Sequence, residues 1–237
     1  MSNSKHIIEN QKKHIPGKLK KRNLNVNIEK TEQYSIRRNG DDTWRKCKYL
    51  GSLLDTTEDI SRRKGLAIQA SNKLKHILES NRLGMDIKIR VLNAYVASIF
   101  LYNSETWTIT KSQEEGIDVF QRKFLRMILN IKWPKKISNE ELYEKTKQKR
   151  WSKEIKRRRL TWLGHLLRLP EDTPARQALC EALRKSKKPR GKPRLTWLGL
   201  ISKDLNINIH EHIQHVQELA NDRRVWFGVV RCAMSNQ

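Results

Sequence analysis

Apolar residues recur at helical spacing through the middle of this chain. The pattern predicts helices over 61–80, 86–105 and 111–130. The second of these is apolar nearly all round, as expected of a central helix that its neighbours bury, and Asp86 is a plausible N-cap for it. We therefore predict a three-helix bundle.

The first 54 residues carry a different pattern. A basic helix is predicted over 7–21, interrupted or ended near Pro16-Gly17. Residues 23–28 alternate polar and apolar, and 33–37 also has strand character. Asn39-Gly40 is a strong hairpin signal because both positions tolerate positive φ, so 44–54 is predicted as the returning strand. We expect a small sheet with one helix against it.

The last hundred residues return to helical spacing. A short capped helix is predicted over 138–143, and an apolar stripe predicts a long helix from Trp151 that ends before Pro170. Another helix should follow over 173–185, then an extended basic arm over 186–194, then helices over 195–205 and 211–234. Trp162 and Trp197 are expected in the core. The predicted fold class is mainly α, with a small α+β segment at the N-terminus.

Charge sets this chain apart from an average globular protein. Its 237 residues include 50 Lys and Arg against 25 Asp and Glu, a formal net charge of +25. Such an excess repels itself in a free globule and is typical of a polyanion binder, with nucleic acid as the leading candidate. The candidate phosphate contacts lie over 149–168, here called the basic stretch, and in the arm. They are Lys149, Arg150, Lys153, Lys156, Arg157, Arg158, Arg159, Arg168, Lys187, Lys188, Arg190, Lys192 and Arg194.

Other chemistry is not indicated by the motifs. The three cysteines lack paired spacing, so neither a disulfide framework nor a zinc site is predicted. Asp41-Asp42 lies beside the predicted turn and is interpreted as turn chemistry rather than as a metal site. We predict no catalytic residue, no metal and no cofactor. The longest apolar run, 91–102, is too short to span a bilayer, so an intracellular protein, nuclear or cytoplasmic, with no membrane partner is expected.

Four segments together resemble a known family. They are Leu24-Asn-Val-Asn-Ile-Glu-Lys-Thr-Glu32, Lys48-Tyr-Leu-Gly-Ser-Leu-Leu-Asp55, Arg158-Arg-Leu-Thr-Trp-Leu-Gly-His-Leu-Leu-Arg168 and Gly191-Lys-Pro-Arg-Leu-Thr-Trp197. In this order and spacing they resemble the C-terminal part of non-LTR (LINE-type) retrotransposon reverse transcriptases, which are RNA-directed DNA polymerases.

The resemblance implies roles for particular regions and residues. Residues 1–56 would be a palm remnant, 57–133 a helical thumb-like bundle, and 134–237 a basic helical region that includes the arm over 186–194. Lys30 resembles the lysine of palm motif D, near the incoming nucleotide. Tyr49, Leu50 and Gly51 resemble motif E, the hairpin that grips the primer end.

The chain also departs from the family. The polymerase motif of the family is an aromatic residue followed by Ala and two Asp. This motif is not in this sequence, so the magnesium ligands of the family are missing. We therefore expect a truncated, catalytically inert protein that binds RNA, DNA or both through phosphates, with a full-length retrotransposon polymerase as a further candidate partner. Two alternatives stay open: part of an active polymerase or nuclease whose palm comes from another chain, and a generic basic structural protein.

Overall fold

The computed structural model describes residues 14–27, 29–30, 45–184 and 195–235. In these ranges the protein is mainly helical, with one small antiparallel two-stranded sheet, which confirms the predicted mainly-α class. The chain divides into two units, Met1–Lys48 and Tyr49–Gln237. None of the described helices is both long and apolar enough to cross a membrane.

The first unit contains a short helix over 14–20. It continues past Pro16-Gly17, contrary to the prediction, and Gly17 accepts a hydrogen bond from the amide of Lys21. The strand predicted over 23–28 is wrong for its described residues, because Asn23 has a φ of 58° and the amides of Asn23 and Leu24 close the helix end instead. The strand predicted over 33–37 and the Asn39-Gly40 turn lie outside the described residues.

A tight hairpin replaces the single strand that was predicted over 44–54. Strands β1 (Lys48–Tyr49) and β2 (Ser52–Leu53) are joined by Leu50 and Gly51. These two residues have φ values of 46° and 84°, the double positive φ of the two-residue turn that best matches strand twist. The chain therefore reverses at a point where sequence alternation alone predicts continuation.

A run of helical segments follows the hairpin. They are α1 (Thr56–Lys73), α2 (Lys75–Leu78), α3 (Met85–Val91), a wider π-helical turn (Leu92–Ala97) that extends α3 into Ser98–Phe100, a tight helical turn (Ser104–Thr106), α4 (Lys111–Ile128) and α5 (Asn139–Thr146). Side-chain caps explain three of the starts, since Asp55, Thr110 and Ser138 each accept a backbone amide of the first turn. Asp86 does not cap α3, because Gly84 occupies that position.

Further helices are described in the rest of the chain. They are α6 (Trp151–Leu167), α7 (Pro174–Arg184), α8 (Trp197–Leu205), α9 (Ile209–Asn221) and α10 (Arg223–Ser235). The end of α6 before Pro170 confirms the prediction. The single helix predicted over 211–234 is wrong, because Asp222 is extended and its carboxylate accepts the amides of Arg224 and Val225, which starts a new helix.

Helix α6 contributes to two hydrophobic cores. Its first turns place Trp151 and Ile155 in a core formed with α1, α3, α4 and α5, where Trp151 stacks on Phe100 with ring centroids 5.0 Å apart. Its later turns place Leu160, Leu163 and Leu167 in a second core with α7 to α10. The basic stretch is therefore built on a helix that is packed along its whole length.

Candidate nucleic-acid interface

The start of α6 is held by side chains of α4 rather than by a cap of its own. Gln121 donates to the carbonyl of Lys149 at 2.8 Å and accepts the amide of Trp151 at 2.9 Å. Asp118 accepts the amide of Ser152 at 3.0 Å and its hydroxyl at 2.8 Å. These bonds satisfy amides that a helix N-terminus leaves free, so they fix where the basic stretch begins.

The predicted phosphate contacts differ widely in exposure. Three are exposed: Lys149, Arg150 and Arg157. Three are half-buried: Lys153, Arg158 and Arg168. Two are buried: Lys156 and Arg159. Five lie outside the described residues: Lys187, Lys188, Arg190, Lys192 and Arg194. Of the eight candidate cations that the structure describes, only some therefore reach solvent.

Lys156 and Arg159 face a carboxylate that is only 10% exposed, instead of the surface. Asp204 of α8 lies 2.7 Å from Arg159 Nη1 and 3.7 Å from Lys156 Nζ, and the side chain of Arg159 is only 1% exposed. Burial lowers the pKa of Arg159 and of Lys156 and raises the pKa of Asp204, although the opposite charges act against each shift. Both cations were predicted as phosphate contacts, but their burial against Asp204 removes them from the candidate interface.

Glu154 braces the arginines that remain. Its carboxylate receives two hydrogen bonds from Arg157, at 2.8 and 2.7 Å, and one from Arg158 at 3.0 Å. Burial acts to raise the pKa of Glu154, but the hydrogen bonds and charges of the two arginines outweigh it, so this pKa is lowered. Arg158 also donates to the carbonyl of Leu101 at 2.7 Å, which leaves Arg157 as the freer cation.

An open cleft lies beside these arginines. It is lined by Glu105, Arg157, Arg158, Thr161, Trp162 and His165. The rings of Trp162 and His165 are 5.0 Å apart with planes 31° from parallel. Trp162 and Trp197 are half-buried and pack against the second core, as expected, but Trp162 also faces this cleft. Arginines beside aromatic rings are the groups that phosphates and bases contact.

The hairpin tip is a second exposed feature. Tyr49 is 66% exposed and Leu50 is 77% exposed, yet the backbone beneath them is firmly held. The Tyr102 hydroxyl donates to the carbonyl of Leu50 at 2.9 Å, and Arg62 and Arg63 both donate to the carbonyl of Gly51. Burial lowers the pKa of Arg63, against the charge of Asp59. The residues that resemble motif E therefore project from a rigid base.

Other predicted positions have simpler surroundings. Lys30 is exposed, and its amide donates to the Asn27 side chain at 3.1 Å. Asp41 and Asp42 lie outside the described residues. Within the described ranges no group of His, Cys, Asp or Glu is placed to hold a metal ion.

Sequence reasoning missed two carboxylates that organise this surface. Glu154 was recognisable from its position, since it lies three and four residues before Arg157 and Arg158, the spacing of neighbours on a helix. Asp204 offered no such signal, because it lies 45 residues from Arg159 in the sequence.

No protein-family model, curated protein or solved structure matched this chain. The resemblance to reverse transcriptases therefore stays an expectation, and the geometry of the exposed cations is the firmer basis for a function.

Replacing Glu154 with Gln should release Arg157. We expect nucleic-acid affinity to rise several-fold at low salt, because one competing negative charge is removed from the contact surface.

The ion pairs of Glu154 with Arg157 and Arg158 should contribute only about 0.2–1 kcal/mol to stability, as partly exposed ion pairs do. Since the pKa of Glu154 is lowered in the folded state, this contribution should be complete above the ordinary carboxyl pKa and be lost as pH falls through the lowered value. Chemical unfolding of the parent protein and of Glu154→Gln between pH 7 and pH 3 measures this contribution to the free energy of unfolding.

Proposed function

We propose that this chain binds RNA, DNA or both through phosphate contacts, and that it is related to the C-terminal part of non-LTR retrotransposon reverse transcriptases. The observation that carries the binding proposal is the cleft on α6, where Arg157 and Arg158 adjoin the Trp162–His165 ring pair. The net charge of +25 supplies the long-range attraction.

Phosphate contact explains how such a surface is used. Each cation that neutralises a phosphate releases a condensed counterion, so affinity falls steeply with salt and depends little on sequence. Arg157 is 45% exposed at the side chain and is available for this role. Lys149 and Arg150 extend the exposed cations to the start of the same helix.

The relation to reverse transcriptases assigns a role to the hairpin tip. In this proposal β1 and β2 belong to the palm remnant, with Lys30 in the motif-D-like segment, and α1 to α4 form the thumb-like bundle. Tyr49, Leu50 and Gly51 would contact the end of a primer strand. The support for this role is the exposure of Tyr49 and Leu50 over a backbone that Arg62, Arg63 and Tyr102 hold in place.

We further propose that this chain does not polymerise DNA by itself. Metal-assisted nucleotidyl transfer requires carboxylates that hold two metal ions, and the aromatic-Ala-Asp-Asp motif that supplies them in the family does not occur in this sequence. Primer extension with magnesium or manganese tests this part. Activity that Asp41→Ala and Asp42→Ala abolish would contradict it and would assign these two residues to a catalytic site.

Fluorescence anisotropy tests the binding proposal. Labelled single-stranded RNA, single-stranded DNA and an RNA–DNA hybrid are titrated across a salt series. We expect tight binding. If about six phosphates are contacted, the logarithm of the binding constant should fall by about 5 for each tenfold rise in salt concentration. Preference for the hybrid would support the reverse-transcriptase relation. Equal, weak binding of all three nucleic acids and of heparin would contradict the reverse-transcriptase relation. The remaining interpretation would then be a generic basic protein.

The cleft itself is tested by changing Arg157 and Arg158 to Ala together. The salt slope should flatten by about 1.4–1.8, since each of the two lost phosphate contacts removes about 0.7–0.9. Lys73→Ala with Lys75→Ala is the matched control, because it removes two exposed cations from another surface. An unchanged slope in the arginine variant, or an equal loss in both variants, would remove the α6 cleft from the interface.

A further inference from the structure

Trp133 lies at the tip of a tight turn between α4 and α5. The amide of Lys135 donates to the carbonyl of Lys132 at 3.0 Å, which closes the turn with Trp133 and Pro134 at its corner. The indole is 87% exposed, more than any other exposed large apolar side chain described. An aromatic ring this large gains stability by leaving water, so a ligand that covered it would be favoured.

Lysines surround this ring. Lys132, Lys135 and Lys136 occupy the turn with Trp133, and Lys123 lines a shallow cleft together with Lys132. All four lysines are exposed, and none has an ion pair or side-chain hydrogen bond with another described residue. They therefore lack direct ion pairs of the kind that Lys156 and Arg159 form, although the Glu79 carboxylate lines the same cleft as Lys123 and Lys132. Charge complementarity points to an anionic ligand.

The turn is pre-organised on both sides. Before it, Asn130 has a φ of 51° and its amide group donates to the carbonyl of Glu79 and to Asn81 Oδ1, while the amide of Ile131 donates back to the carbonyl of Arg126. After it, Arg126 donates to Asn139 Oδ1 at 2.9 Å. A turn backbone held on such a frame loses little conformational entropy when a ligand binds.

We propose that Trp133 is a stacking platform for an unpaired base of single-stranded nucleic acid, with Lys132, Lys135 and Lys136 contacting the neighbouring phosphates. Bases inside a duplex already stack on each other, so a free π-face is offered only by a single strand. Such stacking tolerates any sequence because every base has a π-face. The inference shares with the proposed function the premise of a nucleic-acid ligand, but it concerns a different surface from the α6 cleft.

Two oligonucleotides of equal charge separate stacking from phosphate contact. One is labelled dT15, and the other is a 15-residue abasic strand with the same phosphates and no bases. We expect the full chain to bind dT15 about tenfold more tightly than the abasic strand, the effect of one good base–aromatic stack. Trp133→Leu should remove most of that difference without changing affinity for the abasic strand, and the Trp162–His165 ring pair accounts for any remainder. Phe227→Leu, at another exposed ring that is 65% exposed, should leave the difference intact.

Intrinsic tryptophan fluorescence gives a second readout. The described tryptophans other than Trp133 are buried or half-buried, so quenching by a stacked base should be strongest at Trp133. We expect quenching with dT15 but not with the abasic strand, and its loss in Trp133→Leu. Changing Lys132, Lys135 and Lys136 to Gln should flatten the salt slope by about 2 for both strands.

The outcomes distinguish this inference from the proposed function. If Trp133→Leu binds dT15 as the parent does, or if it loses affinity for both strands equally, stacking at Trp133 is refuted while nucleic-acid binding stands. If the parent protein binds neither strand, the stacking inference fails, and the proposed function fails with it when RNA and the RNA–DNA hybrid are not bound either.

Discussion

Asp204→Asn is expected to destabilise the protein by about 3–5 kcal/mol, the cost of leaving a buried charge without its partner. The substitution keeps the size of the side chain but removes the negative charge between Arg159 and Lys156. Two further nitrogens of Arg159, Nε and Nη2, already have no hydrogen-bond partner among the described residues. Equilibrium unfolding in urea, followed by circular dichroism, measures the loss.

The exposed Asp172 provides the control for this substitution. Asp172→Asn removes the same charge from a surface turn and should change the free energy of unfolding by less than about 0.5 kcal/mol. Replacing Lys156, Arg159 and Asp204 together by apolar residues of similar size should cost much less than Asp204→Asn alone, because desolvation offsets most of the attraction within a buried ion network. Equal losses in the single and triple variants would contradict this account.

Gly164→Ala is expected to cost about 2–3 kcal/mol, at the upper end of the range for overpacking. A Cβ at this position would lie 2.2 Å from Nε1 and 2.4 Å from Cδ1 of Trp226. The indole cannot simply swing away, because its Nε1 donates to the carbonyl of Leu160 at 3.0 Å inside the second core. Helices α6 and α10 would have to separate, and thermal or chemical unfolding measures the effect.

Gly228→Ala is the matched control on α10. A Cβ there would meet no atom within 4 Å, and alanine favours a helix interior over glycine by about 1 kcal/mol. This variant should therefore be neutral or slightly more stable. If both variants behaved alike, the close packing of Gly164 on Trp226 would not be the reason that glycine occupies this position.

Local signals in the sequence predicted much of the helical architecture. Ser138 correctly predicted the start of α5, because its hydroxyl caps the first turn. Pro170 correctly predicted the end of α6, because proline cannot continue a helix. The predicted helix over 111–130 agrees closely with α4 (Lys111–Ile128). These features depend on residues within one or two turns of each other, which is why the sequence alone sufficed.

The candidate interface was less predictable. Arg157 and Arg159 are both arginines of one basic run, yet one is exposed and the other is buried. Trp133 is a large aromatic residue of a kind that is usually buried, yet it is almost wholly exposed. No pattern of charge or hydrophobicity along the chain separates these cases.

By itself the sequence determined the mainly helical class, the strong positive charge and the place of the basic helix. Tertiary structure alone decided which cations are available to a ligand. The reason is that α6 packs on both cores, so docking of α8 places Asp204 against Lys156 and Arg159, while docking of α4 fixes the start of the helix and leaves Arg157 at the surface. The periodicity of apolar residues indicates which face of a helix is buried. It does not indicate the partner of a buried charge, because that partner lies far away in the sequence.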